Sequence, residues 1–549
     1  MLPTNTDHEI PAMTAEVARA AFPHGNRIMK IRDELGRLFA DADFMALYPN
    51  LGQPAESPAR LAIVTILQFM ENLTDREAAD AVRSRIDWKY LLGLELTEAG
   101  FHYSVLSEFR QRLVEHSQEG ILLDRILDCC VCAGLLNGQS KQRTDSTRVL
   151  AKVRTLNRVE LAGETLRRVL DDVAQINPNW LQVHMKAEWG KRYGRPIDTR
   201  DAGKSKGKLE KLAQTIGEDG YALLTALYQA ETPMTIRSLL SVEVLRQVWV
   251  QQYYWKDGQS DWRHQDEHGF PPSGTMIASP DDLDARYSSK YGVGWTGYTL
   301  HVTETCAPEE PRLITQVTTS NATVPDSQMT EVILADLVSR HLSPQTHWVD
   351  AGYISTDNLL SSQAKGIDLL GPARVDSSWQ ARTEGGYDQT QFSIDWETMT
   401  ATCPQGQQSM LWKQGKSAGG RPNIHLLFRR PTCFQCSARE KCSRGEKNGR
   451  HLTVSPQPAF AVLKQARERE QTEAFKDEYK RRAGVEGTIA QTVNAFGARH
   501  NRYRGFARTR LQHIATATAI NLQRIAAWLM GERPGATRIS PFAALALPI

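Results

Sequence analysis

What most limits the fold of this chain is the order of its strand and helix signals around three isolated acids. Asp145 stands in Arg-Thr-Asp-Ser-Thr, Asp350 in Trp-Val-Asp-Ala-Gly-Tyr and Glu486 in Arg-Arg-Ala-Gly-Val-Glu-Gly-Thr. The two aspartates follow apolar or β-prone residues and precede small ones, as at a strand end. Glu486 lies in a helix-compatible stretch behind a basic pair. Strand signals recur at residues 297–302 and 312–317, a helical segment follows over 326–341, and a buried strand ends at Asp350. A helix near 356–364, a strand at 368–370 and a long charged helix over 458–480 complete the order. The order is strand, strand, strand, helix, strand, helix, with an acid in the first strand, one after the fourth and one on a late helix. A single acid at a strand end is more often a cap or turn residue. Three that converge make an oxygen-rich site for two divalent cations that clamp the attacking and leaving oxygens of a phosphodiester.

At 549 residues the chain exceeds what one core supports, so three or four structural units are expected. Its longest apolar run, around Leu61 to Met70, is too short to cross a bilayer. The first thirty residues, with Glu9 and Glu16, lack the apolar core of a secretory signal. A cytoplasmic protein with no membrane partner and with reduced cysteines is expected. The net charge of +3 averages over unequal regions. Over residues 480–510 the basic side chains are Lys480, Arg481, Arg482, Arg499, Arg502, Arg504, Arg508 and Arg510, with Glu486 the only acid, a balance suited to a polyanion.

Residues 26–136 read as helices. Ser57-Pro58 is a cap followed by a first-turn proline, and Thr74-Asp75-Arg76-Glu77 is a capping box. Leu106, Phe109, Arg110 and Leu113 fall at helical spacing behind Ser104; a helix-turn-helix and a plain bundle both remain open. Residues 156–252 turn helical again, led by Leu161, Leu166, Leu170 and Val173, as an insertion. Cys403, Cys433, Cys436 and Cys442 form a Cys-x29-Cys-x2-Cys-x5-Cys set whose thiolates suit a structural tetrahedral Zn²⁺. Cys129, Cys130 and Cys132 sit in an apolar helical run and are expected to pack as small hydrophobes. Tyr253, Tyr254, Trp255 and Trp262 are assigned to packing. Tyr479, Arg482 and Glu486 lie at i, i+3 and i+7, one face of a continuous helix, although Gly484 and Gly487 weaken that helix.

Three motifs give the chain a resemblance to bacterial insertion-sequence transposases of the DDE type, whose catalytic domain is RNase H-like. They are Asp145-Ser146-Thr147 followed by Leu156-Asn157-Arg158; Asp350-Ala351-Gly352-Tyr353; and Tyr479-x2-Arg482-x3-Glu486 leading to Arg502-Tyr503-Arg504-Gly505 and Leu511-Gln512-His513. The similarity runs from the helical N-terminal region to Arg524 and is greatest to the branch numbered eleven eighty-two, related to the IS four and IS five groups.

The resemblance implies an α/β fold with an RNase H-like mixed five-stranded sheet. A DNA-binding all-α domain (1–138) precedes a core (139–155 and 275–375) interrupted by a helical insertion (156–274). A Cys-rich, zinc-binding insertion (376–455), C-terminal catalytic helices (456–531) and a tail (532–549) follow. Asp145 is implied to bridge two Mg²⁺ or Mn²⁺ ions, with Asp350 on one and Glu486 on the other. Tyr479, Arg482, Arg499, Arg502, Arg504 and Lys290 are the implied DNA contacts. Related signatures continue to a lysine seven residues after the glutamate; Val493 stands there, so that phosphate contact moves to Arg499 or Arg502. The implied partners are double-stranded DNA, as terminal inverted repeats and target, and a second copy in a homodimer on DNA, with the protein on the nucleoid when bound. A catalytically inactive DNA-binding derivative and a structure-selective nuclease on the same core are the rival readings.

Overall fold

The computed structural model describes residues 1–3, 9–200, 205–256, 259–533, 542 and 545; the rest of the expected tail lies outside the described residues. The chain divides into two units. The first comprises Met1–Asn137, Asp145–Val324 and Glu486–Ile549, and the second comprises Gly138–Thr144 and Pro325–Val485.

In the first unit, local chemistry starts the N-terminal helices where the sequence places them. Ser57 Oγ accepts Arg60 N–H at 3.3 Å ahead of Pro58–Met70, and Thr74 and Glu77 exchange backbone and side-chain hydrogen bonds at the head of Asp75–Ser84. Helix Ser104–Glu115 buries Leu106, Phe109, Arg110 and Leu113, the four residues read at helical spacing. The buried Arg110 is compensated by Asp75 at 2.6 Å and Gln68 at 3.1 Å. Helices Arg27–Leu35, Pro58–Met70 and Ile121–Cys132 pack on the long C-terminal helix Phe506–Leu529. That helix is buried on most of its sides, polar residues such as Gln512, His513 and Asn521 included, and is therefore the centre of the bundle. Of the three neighbouring cysteines only Cys130 is buried. Cys129 is half-buried and Cys132 exposed, because the apolar stripe of Ile121–Cys132 passes through 122, 123, 126, 127 and 130 and leaves the flanking positions outside.

Residues 158–253 of the same unit have a core of their own, including Leu166, Val169, Val173, Trp189, Ile216, Leu245 and Trp249. Gly220 sits flush against the Trp249 ring, whose Nε1 donates to Gly217 O at 3.1 Å. Tyr253 is buried and donates to Ala213 O at 2.9 Å, whereas Trp255 is exposed and leans on Tyr221 with ring centroids 4.9 Å apart. Strands Arg286–Lys290, Val293–Thr305 and Ile314–Asn321 form an antiparallel set, with Val293–Thr305 neighbouring strand Gln142–Leu150.

In the second unit, Gln142 and Arg143 pair in parallel with His347 and Trp348, and Thr346–Trp348 pairs in parallel with Asp368–Leu370. Six strands in all take part in the mixed sheet, not the expected five. The extra one, Arg286–Lys290, is short and largely exposed, so it carries no apolar alternation to read. Helix Gln457–Glu470 packs against Thr356–Ala364. The single helix expected over 458–480 is two, Gln457–Glu470 and Glu473–Tyr479, because Thr472 caps the second by accepting Phe475 N–H at 3.2 Å. Strands Leu411–Lys416, Pro422–Leu427 and His451–Val454 form a small antiparallel sheet over a core of Phe392, Ala401, Ile424, Leu426, Phe428, Leu452 and Val454.

Candidate active-site residues and the cysteine module

Asp145 is half-buried on strand Gln142–Leu150, and its Oδ1 accepts Ser146 N–H at 2.8 Å. The end of that strand is lengthened by a loop: Leu150 N donates to Arg499 O at 2.8 Å and Asn501 N to Leu150 O at 3.0 Å. This pairing brings Arg499 Nη2 to 3.1 Å from Thr147 Oγ1, two residues from Asp145. Gln512 holds the loop in place, donating to His500 O at 3.2 Å and accepting Arg502 N–H at 2.7 Å. The adjacent His513 reaches Thr319 Oγ1 at 2.7 Å, so this part of the Leu-Gln-His motif fastens the C-terminal helix to loop and sheet.

Glu486, in the same unit, is exposed on helix Gly484–Asn494. Two residues on, the buried Thr488 donates to Glu304 Oε2 at 2.5 Å, and Arg524 Nη1 donates to the same oxygen at 2.9 Å. Arg524 also reaches Gln491 Oε1 at 2.8 Å, so one face of the helix is fixed through a fully buried carboxylate while Glu486 stays outside. Nothing local in the sequence marked Glu304, which lies 220 residues from Arg524.

The remaining basic residues of this unit are engaged with protein. Arg502 donates to Asn72 Oδ1 and lies over the Phe69 ring at 4.6 Å. Arg504 Nε donates to Lys152 O at 3.3 Å, with Nη1 3.8 Å from Asp281. Asp282 and Asp284 accept the N–H groups of Gly505 and Phe506, each at 3.1 Å, at the positive end of helix Phe506–Leu529. Lys290 is exposed at the end of its strand.

In the second unit, Asp350 follows strand Thr346–Trp348 and its Oδ1 accepts Gly352 N–H at 2.8 Å. A Cβ on Gly352 would lie 3.0 Å from Asp350 Oδ1 and 3.1 Å from Asp326 Oδ2. Glycine therefore keeps two carboxylates close together there. The sequence reading missed Asp326, whose place at a helix start resembles that of any first-turn acid. The Tyr353 carbonyl accepts from Thr330 Oγ1 at 2.9 Å and Asn358 Nδ2 at 2.8 Å, which ties the Asp-Ala-Gly-Tyr turn to two helices. Tyr479 stacks on Phe475, and its hydroxyl donates to Val349 O at 3.1 Å, next to Asp350.

Tyr479, Arg482 and Glu486 do not share a continuous α-helix. A 3-10 segment, Lys480–Ala483, intervenes before Gly484–Asn494. The Arg143 guanidinium, bonded to Arg481 O, lies flush against Gly484, where any side chain would collide with it. Tyr479 and Arg482 thus accompany Asp350 in one unit, and Glu486 and Arg499 accompany Asp145 in the other.

Cys403, Cys433, Cys436 and Cys442 line one cavity of about 350 Å³. Gln407 N–H points at Cys403 Sγ (3.3 Å) and Arg450 N–H at Cys433 Sγ (3.4 Å). Burial pushes the Cys442 thiol up to about 11; Arg450 opposes this and the other three thiols add to it. Among the described residues, no group of three or more His, Cys, Asp or Glu is arranged as a ready-made metal-ligand set.

Residues 402–526 match the family model described as Transposase DDE domain, and residues 16–112 match the one described as Transposase domain (DUF772). Each match makes that stretch of the chain similar to transposase domains. The DDE transposase match takes in Glu486, Arg499 and the four cysteines; neither transposase match reaches Asp145 or Asp350. No curated protein matches the chain. Among the described residues no helix is long and apolar enough to cross a membrane.

Proposed function

We propose that this chain is a DDE transposase that binds the terminal inverted repeats of its own mobile element, cuts the DNA strands and joins the released ends to target DNA. The observation that carries the reading is the pair of transposase matches, the DDE domain over residues 402–526, which takes in Glu486, and the transposase domain over residues 16–112. Glu486 is the third carboxylate, on a helix whose opposite face is tied down through Glu304.

The donor set suits hard divalent cations. Asp350 already has the Asp326 carboxylate near it about Gly352, a concentration of oxygen that a cation relieves. Asp145, Asp350 and Glu486 would hold two Mg²⁺ or Mn²⁺ ions, which when bound activate the nucleophile and stabilise the leaving oxygen. In cutting, a water oxygen bonds to the scissile phosphorus as the bond to the 3′ oxygen breaks; in joining, that 3′ oxygen loses its proton and bonds to a target phosphorus as the bond to the target's own 3′ oxygen, which leaves as a 3′ hydroxyl, breaks. The residues of the chain position these steps. Tyr479 fixes the backbone before Asp350, and Arg499, held against Thr147, offers a guanidinium to the phosphate in place of the lysine that Val493 replaces. Arg482, Arg502, Arg504 and Lys290 complete the proposed DNA contacts, and pairing two ends requires a homodimer on DNA. The four thiols around one cavity fit a structural Zn²⁺, with the N–H groups of Gln407 and Arg450 supporting their sulfurs.

The test is a duplex carrying the flanks of the encoding gene, incubated with Mg²⁺. Wild type should nick it and transfer strands, while Asp145→Ala and Glu486→Gln should lose both activities by at least about 10³-fold and keep DNA affinity. Mg²⁺-dependent strand transfer by Asp145→Ala would refute the assignment.

A further inference from the structure

We propose that the cysteine module is a second DNA-binding surface, which grips the phosphate backbone of duplex DNA without reading its sequence; the proposal rests on the transposase reading above. Residues 411–450 hold ten Lys and Arg against only Glu440 and Glu446. Eight of the cations are exposed. Arg421 faces Asp357 at 3.6 Å; among the described residues the other seven, Lys413, Lys416, Arg429, Arg430, Lys441, Arg444 and Lys447, are in no ion pair with an acid.

The contrast with the helices of the same unit gives this excess its meaning. There Lys464 faces Glu468, Lys476 faces Glu473, Lys480 faces Asp477 and Arg469 faces Asp368, so charge is cancelled locally. A solvated face in this protein is built from such pairs. In the module most of the exposed cations, Arg421 excepted, are left without an acid beside them, which raises a positive potential that a dense polyanion neutralises.

The sheet geometry supports the same partner. Trp412, Leu426 and Leu452 lie across from one another and turn to the core, so the next row, Lys413, His425 and Thr453, faces away from it. Lys416 closes its strand at the exposed turn Ser417–Gly420, whose small side chains let backbone and lysine approach a phosphate chain closely. Lysines and arginines that meet phosphate oxygens fix a duplex in place without reading its sequence.

The experiment uses the full chain, with affinity measured against salt concentration for a terminal-repeat duplex and for an unrelated duplex of equal length. The variant combines Lys413→Ala, Lys416→Ala, Lys441→Ala and Lys447→Ala, and a Lys→Arg version at the same four positions controls for charge. The alanine variant should weaken both duplexes alike and lower the slope of log affinity against log salt by about 2 to 4, while the arginine version restores it. Equal slopes for wild type and alanine variant overturn the surface alone. A loss confined to the terminal-repeat duplex overturns the backbone role, and binding of single-stranded RNA in preference to both duplexes overturns the choice of partner. Wild type that binds no duplex defeats the transposase reading itself. A thermal melt of the variant matching wild type establishes that folding is not what changed.

Discussion

Helix Gly484–Asn494 and the cysteine module solve the same problem, holding functional side chains still, by opposite means. The helix presents Glu486 on one face and is locked on the other by Thr488, Gln491, Arg524 and the fully buried Glu304, inside a unit with extensive apolar packing. The module has a core of seven buried hydrophobics and gathers four thiols round a cavity instead. Where packing is ample, a buried ion pair sets orientation; where it is scarce, the proposed Zn²⁺ would cross-link the thiols and supply the rigidity.

The largest effect that would sharpen this contrast is removal of the cross-link. Cys433→Ser, or a zinc chelator on wild type, should abolish binding of one Zn²⁺ per chain and cost the module an amount on the scale of structural zinc sites, about 10 kcal/mol of binding free energy. Hydrogen exchange read peptide by peptide should show protection lost over residues 392–454 and retained over 484–530; loss spread evenly over the chain would break the contrast. Next comes the buried pair. Arg524→Ala takes the guanidinium away from the buried Glu304 carboxylate, with a cost of about 3–5 kcal/mol in thermal or denaturant unfolding. Leaving zinc content unchanged, it should also lower strand cutting, because the helix bearing Glu486 loses its anchor; full activity in this variant would show that the anchor does not position Glu486.

The smallest effect at neutral pH, opening only on acidification, is a pH dependence confined to the helix-bearing unit. His513 and His301 are held down to about 3, by burial first and by a neighbouring positive charge second, His301 in the case of His513 and Lys290 in the case of His301. Both stay neutral in the folded state. Above about pH 6.5 they cost nothing. As pH falls from there toward 3, the unfolded chain takes up protons that the folded one refuses, so stability declines by up to about 1.4 kcal/mol per pH unit for each. Denaturant titrations across that window should give a shallower decline for His513→Gln than for wild type, and an unchanged slope would sink the assignment.

Much of the local structure was written in local residues. Ser57-Pro58, the Thr74–Glu77 box and the spacing of Leu106, Phe109, Arg110 and Leu113 specify helices because each interaction spans one or two turns of chain. The strand and helix settings of Asp145, Asp350 and Glu486 were legible for the same reason. What supports those acids was not. The Glu304–Arg524 pair and the nearness of Asp326 to Asp350 join residues distant in sequence, and the break at Lys480–Ala483 follows from Arg143 occupying the space beside Gly484. None of these contacts has a periodicity to betray it.

The bundle built on Phe506–Leu529 has a consequence for synthesis. Its outer helices leave the ribosome hundreds of residues before the helix they enclose, so their apolar faces must wait, shielded only by each other or by a chaperone, until translation is almost done. A prematurely terminated product would lack both that central helix and Glu486, and so would neither settle its amino-terminal bundle nor cut.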